Sequence, residues 1–117
     1  MPVRVLLIDD DASFRSLARG VLAASGLTVI GEAGTAADGA LVAVALQPDA
    51  ILLDVNLPDG DGVTLAAELC GLDCKPRVLL TSSDPDATTT EDAIRRGACG
   101  FVRKHDLVGE GTDLLAG

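Results

Sequence analysis

Aromatic side chains are nearly missing from this chain. Of 117 residues only Phe14 and Phe101 carry a six-membered ring, and there is no tryptophan or tyrosine. Any core must then be aliphatic, and no row of aromatic platforms is available to stack nucleic-acid bases. Basic charge is scarce as well: 9 lysines and arginines face 18 acidic residues, a net charge of −9. Such a surface repels phosphate backbones and anionic lipids, which argues against direct nucleic-acid or membrane binding and for cations or basic protein surfaces as partners. No apolar run approaches the roughly 18 residues of a membrane span. Met1-Pro2-Val3-Arg4 leads into a short apolar stretch and then three acids, not into a leader peptide. Three cysteines, Cys70, Cys74 and Cys99, are expected to be reduced thiols in the cytoplasm. With His105 they could count as a zinc set, but Cys70 and Cys74 lie far from Cys99 in sequence, and small buried hydrophobes are the better reading.

What is present is aliphatic and regular. Hydrophobic residues make up 48% of the chain, enough for one packed domain over residues 1–117. Val3–Ile8 is an apolar run broken only by Arg4, as in a strand buried on both faces. Phe14, Leu17, Ala18, Val21 and Leu22 then form one helical stripe, stopped by Gly26. Leu27–Ala33 reads as a second strand, and Thr35 as the cap of a helix through Leu46 closed by Gln47-Pro48. Further strands are predicted at Ala50–Leu53, Arg77–Leu80 and Cys99–Arg103, with helices over Val63–Leu72 and Asp86–Arg96. This alternation implies a parallel sheet covered by helices on both sides. The last helix is the weak element: Gly109 and Gly111 disfavour it, and a clean start appears only at Thr112.

Polar residues close four of the five predicted strands: Asp9-Asp10-Asp11, Asp54-Val55-Asn56, Thr81-Ser82-Ser83 and Lys104. In open α/β sheets ligands bind beyond those ends, so residues 45 to 95 positions apart should converge on one crevice. Two carboxylates about 4 Å apart repel by about 4 kcal/mol at an effective dielectric of 20. A hard dication, Mg²⁺ or Mn²⁺, and the Lys104 ammonium are the expected compensation. Asp54, at the end of a dry strand, is placed to attack phosphorus as a nucleophile. The metal, Lys104 and the Thr81 hydroxyl would give each phosphoryl oxygen one partner. Asp11 is expected to cap the first helix.

These residues together resemble the receiver domain of two-component response regulators. The resemblance rests on Asp9-Asp10 after an apolar strand, Asp54 followed by Asn56-Leu57-Pro58-Asp59-Gly60, Thr81 before a small residue, and Phe101 three residues before Lys104. It implies a flavodoxin-like sandwich with strand order 2-1-3-4-5. It also implies phosphotransfer to Asp54 from a histidine kinase or phosphotransfer protein. Mg²⁺ would be held by Asp10, Asp54 and the Asn56 carbonyl, with Asp9 acting through a water, and Thr81 and Phe101 would form a switch. Asn56 and Ser83, small and polar, would govern access of water to the phosphoryl group. Beyond its own phosphorylation and dephosphorylation the domain would not be an enzyme. An effector domain carried elsewhere and a second copy of the chain are further candidate partners.

One departure is His105, where the family commonly has a proline with a cis peptide; a trans bond is expected here. A haloacid-dehalogenase-type hydrolase would need a second aspartate where Asn56 stands, and no phosphate-binding glycine motif is present. The rival reading is a phosphorylation-independent interaction module of the same fold, against which the complete set of acids, Thr81 and Lys104 speaks.

Overall fold

The computed structural model describes residues 2–117. Five parallel strands form one sheet: β1 (Arg4–Ile8), β2 (Thr28–Ala33), β3 (Ala50–Asp54), β4 (Arg77–Ser82) and β5 (Gly100–Arg103). Their order across the sheet is 2-1-3-4-5, the flavodoxin-like arrangement that the family resemblance implies. The chain moves outward from β1 in one direction to β2 and in the other to β3. That reversal opens a crevice at the C-terminal ends of β1 and β3.

Strand alternation sorts the core into two layers. Leu6, Ile8, Ile51, Leu53, Val78 and Leu80 point to one side, and Val5, Leu7, Ala50, Leu52, Leu79 and Val102 to the other. The first set is covered by α2 (Ala36–Leu46), α3 (Gly62–Cys70) and α4 (Thr90–Arg95). The second is covered by α1 (Ala12–Ala24) and α5 (Thr112–Ala116). This explains why β1 and β3 read as continuous apolar runs: neither face meets water. Each fully buried leucine or isoleucine contributes about 1.5–3 kcal/mol.

Helix starts follow their caps. Asp11 accepts hydrogen bonds from the Ser13 and Phe14 amides, and Thr35 accepts one from Asp38. Gln47, left-handed at φ 48°, ends α2 one residue before Pro48. At Gly39 a β-carbon would lie 2.7 Å from Ile8 Cδ1, so glycine lets α2 sit directly on β1.

Several elements differ from the sequence expectation. Leu17 is 62% exposed, since the buried line of α1 is Phe14, Ala18 and Leu22 only. Helix α4 begins at Thr90, not Asp86. Pro85 disfavours helix at the residue before it. Ser82 Oγ and Asp84 Oδ1 accept from the Asp84 and Asp86 amides, holding this stretch in turns, and Thr89 caps the helix through the Asp92 amide. Helix α3 ends at Cys70, two residues early. Cys70, Cys74 and Cys99 are half-buried rather than fully buried.

The chain's end matches expectation. After β5 a tight turn at Lys104–Asp106 and an irregular segment, Leu107–Gly111, lead into a five-residue α5 starting at Thr112. Arg77 donates twice to the Leu115 carbonyl at 3.1 and 2.9 Å, clamping this short helix to β4. The Lys104–His105 peptide is trans. No helix among the described residues is long and apolar enough to cross a membrane.

Candidate functional site

Asp9 follows β1, Asp54 ends β3, Thr81 pairs with Asp54 in the β3–β4 register, and Lys104 follows β5. Parallel pairing in the order 2-1-3-4-5 brings all four to one rim. One carboxylate oxygen each from Asp9, Asp10 and Asp54 lies within 4.8 Å of the others. Asp10 is exposed, whereas Asp9 and Asp54 are only 3% and 4% exposed. Other nearby acids are engaged elsewhere: Asp11 and Asp61 cap α1 and α3, and Asp59 accepts from the Ala36 and Ala37 amides at the start of α2.

Lys104 is the counterweight. Its ammonium lies 2.9 Å from Asp9 Oδ2 and 3.8 Å from Asp54 Oδ2. The approach to Asp9 Oδ2 lacks hydrogen-bonding geometry, so that oxygen is ion-paired but not hydrogen-bonded. The same ammonium sits 4.5 Å from the centre of the Phe14 ring, whose π-face attracts cations. A single lysine does not neutralise the cluster. Burial first, and the neighbouring Asp9 charge second, push the Asp54 carboxyl up to about 6, against the opposing pull of the Asn56 amide and Lys104.

The surrounding residues fix this geometry. The Asn56 amide donates to Asp54 Oδ1 at 3.2 Å, and the Asn56 side chain donates to Ser82 Oγ at 3.3 Å. The Asp11 amide holds Asp9 Oδ1 at 2.9 Å. Arg15 reaches from α1 to the Asp9 carbonyl while pairing with Glu32 at 2.9 Å. Gly62 packs against the strand end so closely that a β-carbon would collide with the Asp54 carbonyl oxygen. Thr81 Oγ1 is fully buried and has no hydrogen-bond partner, which is costly for a hydroxyl unless a ligand or rearrangement completes it. Phe101 is half-buried against the α2–α4 side of the core, and Asn56 and Ser83 are exposed.

Of the site residues expected from the sequence, Asp9, Asp10, Asp54, Asn56, Thr81, Ser83 and Lys104 lie at or beside this rim, and Phe101 lies behind it on β5. Two contributors were missed, Phe14 and Arg15. Phe14 had been assigned only to the helix stripe, and its place over Lys104 is set by residues 90 positions apart. Its signal was rarity, one of two aromatics, three residues after the acidic triplet. Arg15 gave no comparable sign, and Ser82, expected only as part of the polar end of the fourth strand, accepts from the Asn56 side chain.

The model of the response regulator receiver domain matches residues 5–110. The chain belongs to that family. Among similar receiver-domain proteins, the chemotaxis protein CheY of Bacillus subtilis is 30% identical over 89% of this chain and 87% of its own length. The transcriptional regulatory protein LiaR of Bacillus subtilis is 32% identical over 97% of this chain and 54% of its own. The regulator BvgA of Bordetella pertussis is 34% identical over 92% of this chain and 51% of its own. The chain thus spans about half the length of BvgA and LiaR. Among solved structures, NtrX from Brucella abortus has a TM-score of 0.79 at 30% identity, covering 99% of this chain and 26% of that one. A LuxR-family response regulator from Aurantimonas superposes with a TM-score of 0.83 over 99% of this chain and 86% of that one, at 23% identity, a likeness of fold alone. As a receiver domain this is a two-component signalling module.

Proposed function

We propose that this single receiver domain takes a phosphoryl group from the phosphohistidine of a histidine kinase or phosphotransfer protein onto Asp54, and that the product is its signalling state. The observation carrying this reading is the buried Asp54 carboxylate, crowded by Asp9 and Asp10 and only partly offset by Lys104. In the reaction an Asp54 carboxylate oxygen forms a bond to phosphorus and the phosphorus–nitrogen bond breaks. The electron pair leaves with the imidazole, which takes a proton from solvent. At pH 7 a carboxyl with a pKa of about 6 is mostly ionised and ready to attack.

A divalent cation fits the donor set: three carboxylates, hard oxygen ligands, with a net charge one lysine leaves uncompensated. Asp10, Asp54 and the Asn56 carbonyl would hold Mg²⁺ or Mn²⁺, with Asp9 behind them, and the ion would neutralise charge gathering on the phosphoryl oxygens. Lys104 would exchange its carboxylate partners for a phosphoryl oxygen. Thr81 Oγ1, buried without a partner, would donate to another. Its turn would free space beside β5 for the half-buried Phe101 ring, coupling the charge event to the α4–β5 surface. Asn56 and Ser83, both exposed, would leave water a path to the acyl phosphate.

The test is intact-mass analysis after incubation with acetyl phosphate and MgCl₂. One added phosphoryl group is expected on the native chain and none on Asp54→Asn. Unmodified native protein would leave the phosphorylation-independent interaction module, and a phosphorylated Asp54→Asn variant would put the acceptor on another residue; either overturns the assignment to Asp54.

A further inference from the structure

Beyond its first turn helix α2 is apolar on every side. Between Ala36 and Leu46 its only charged residue is Asp38. A helix hydrophobic all round is normally buried all round, yet Leu41 is 71% and Val44 61% exposed. The seam beside them, between α2 and α3, does not close. Near the start of α2 it opens into a cavity of about 380 Å³. Ala36, Ala37, Ala40 and Leu65 supply its apolar surface, Asp59, Asp61 and Glu68 its charge, and no basic side chain lines it. Near the end of α2 a smaller hollow of about 90 Å³ is bounded by Val44, Leu72 and Cys74.

We propose that this face docks a basic amphipathic helix of a partner protein, with one arginine or lysine seated in the larger cavity and aliphatic side chains laid over Leu41 and Val44. An arginine or lysine has an apolar stem and a cationic head, which is the pairing the cavity offers: alanine and leucine walls with carboxylates beside them. Asp59 is held by the Ala36 and Ala37 amides and Asp61 by the Val63 amide, so two of the three acids are fixed in place before a partner arrives. Eleven residues of α2 extend about 16 Å, the span of about three turns of a docked helix. Charge complementarity chooses among occupants. Two copies meeting through this patch would bring together two faces that each carry Asp59, Asp61 and Glu68 and offer these acids no basic partner from the lining, and an anionic membrane would be repelled by a chain of net charge −9.

The probe is a synthetic amphipathic peptide of about four helical turns, with leucines at i, i+3 and i+7 flanked by arginines, and a twin with those arginines changed to glutamine. Binding is read by calorimetry and by amide shifts of the ¹⁵N-labelled chain. Shifts clustered on Ala37, Ala40, Leu41, Val44 and Leu65 are expected, with at least tenfold weaker binding for the glutamine twin. The chain variants Leu41→Lys and Glu68→Lys, both at exposed positions, should each weaken the arginine peptide at least tenfold while circular dichroism stays native. No binding, shifts spread over the surface or gathered at the Asp54 rim, or indifference to both variants would overturn the proposal. Self-association abolished by Leu41→Lys would assign the face to a second copy and overturn it equally.

Discussion

Asp54→Asn should make the metal-free protein more stable, and by an amount that depends on pH. Burial, and after it the neighbouring Asp9 charge, lift the Asp54 carboxyl from 3.8 to about 6. The folded state therefore holds this proton more tightly than the unfolded chain does. Between pH 4 and 6 the folded form carries more protons, so raising the pH strips stability from it, and the loss is complete above pH 7. At 1.36 kcal/mol per pH unit the penalty amounts to about 3 kcal/mol at most. Asparagine keeps an oxygen for the Asn56 amide, now 3.2 Å from Asp54 Oδ1, and carries no charge. Urea unfolding in chelator should then show native and variant nearly equal at pH 4, with the variant ahead by up to about 3 kcal/mol at pH 8. That difference corresponds to a melting temperature roughly 10 °C higher. Magnesium at ten times its dissociation constant should return about 1.4 kcal/mol to the native chain and far less to the variant. A variant no more stable than the native protein at pH 8, or equal stabilisation of both by magnesium, would refute the reasoning.

Other substitutions probe the parts separately. Phosphorylation by acetyl phosphate should stop when a chelator removes the divalent cation and return when MgCl₂ is added back, because the Asp9, Asp10 and Asp54 carboxylates leave the phosphoryl charge uncompensated without it; intact-mass analysis over time reads it. Phe14→Leu keeps apolar bulk but removes the ring 4.5 Å from the Lys104 ammonium. It should slow phosphorylation about 2- to 30-fold, the equivalent of 0.5–2 kcal/mol, with Phe14→Tyr restoring the rate. Gly62→Ala forces a β-carbon against the Asp54 carbonyl oxygen and should destabilise the fold by about 1–3 kcal/mol in denaturant titration.

The strands and the rim were legible in the sequence for one reason. In β1 and β3 both faces are covered, so Val5–Ile8 and Ala50–Leu53 had to be apolar, and the first acid after each run, Asp9 or the terminal Asp54, marks where the sheet meets its crevice. The caps Asp11 and Thr35 were legible because their chemistry is local. Less was visible where several short-range options compete. From Ser82 to Thr89 side-chain oxygens take backbone amides that a helix would have used, which delays α4 to Thr90. The exposure of Leu17 and the pairing of Phe14 with Lys104 depend on how α1 rotates against β1 and β5. No local pattern specifies that rotation.

The most direct measurement is to trap the modified side chain. Borohydride reduces an acyl phosphate to an alcohol, leaving a mass change that tandem spectrometry locates on one residue. After acetyl phosphate and magnesium, the expected result is that change at Asp54 and nowhere else, including Asp9, Asp10 and Asp59. A reduced side chain at another aspartate, or none in folded, magnesium-loaded protein, would contradict the central claim.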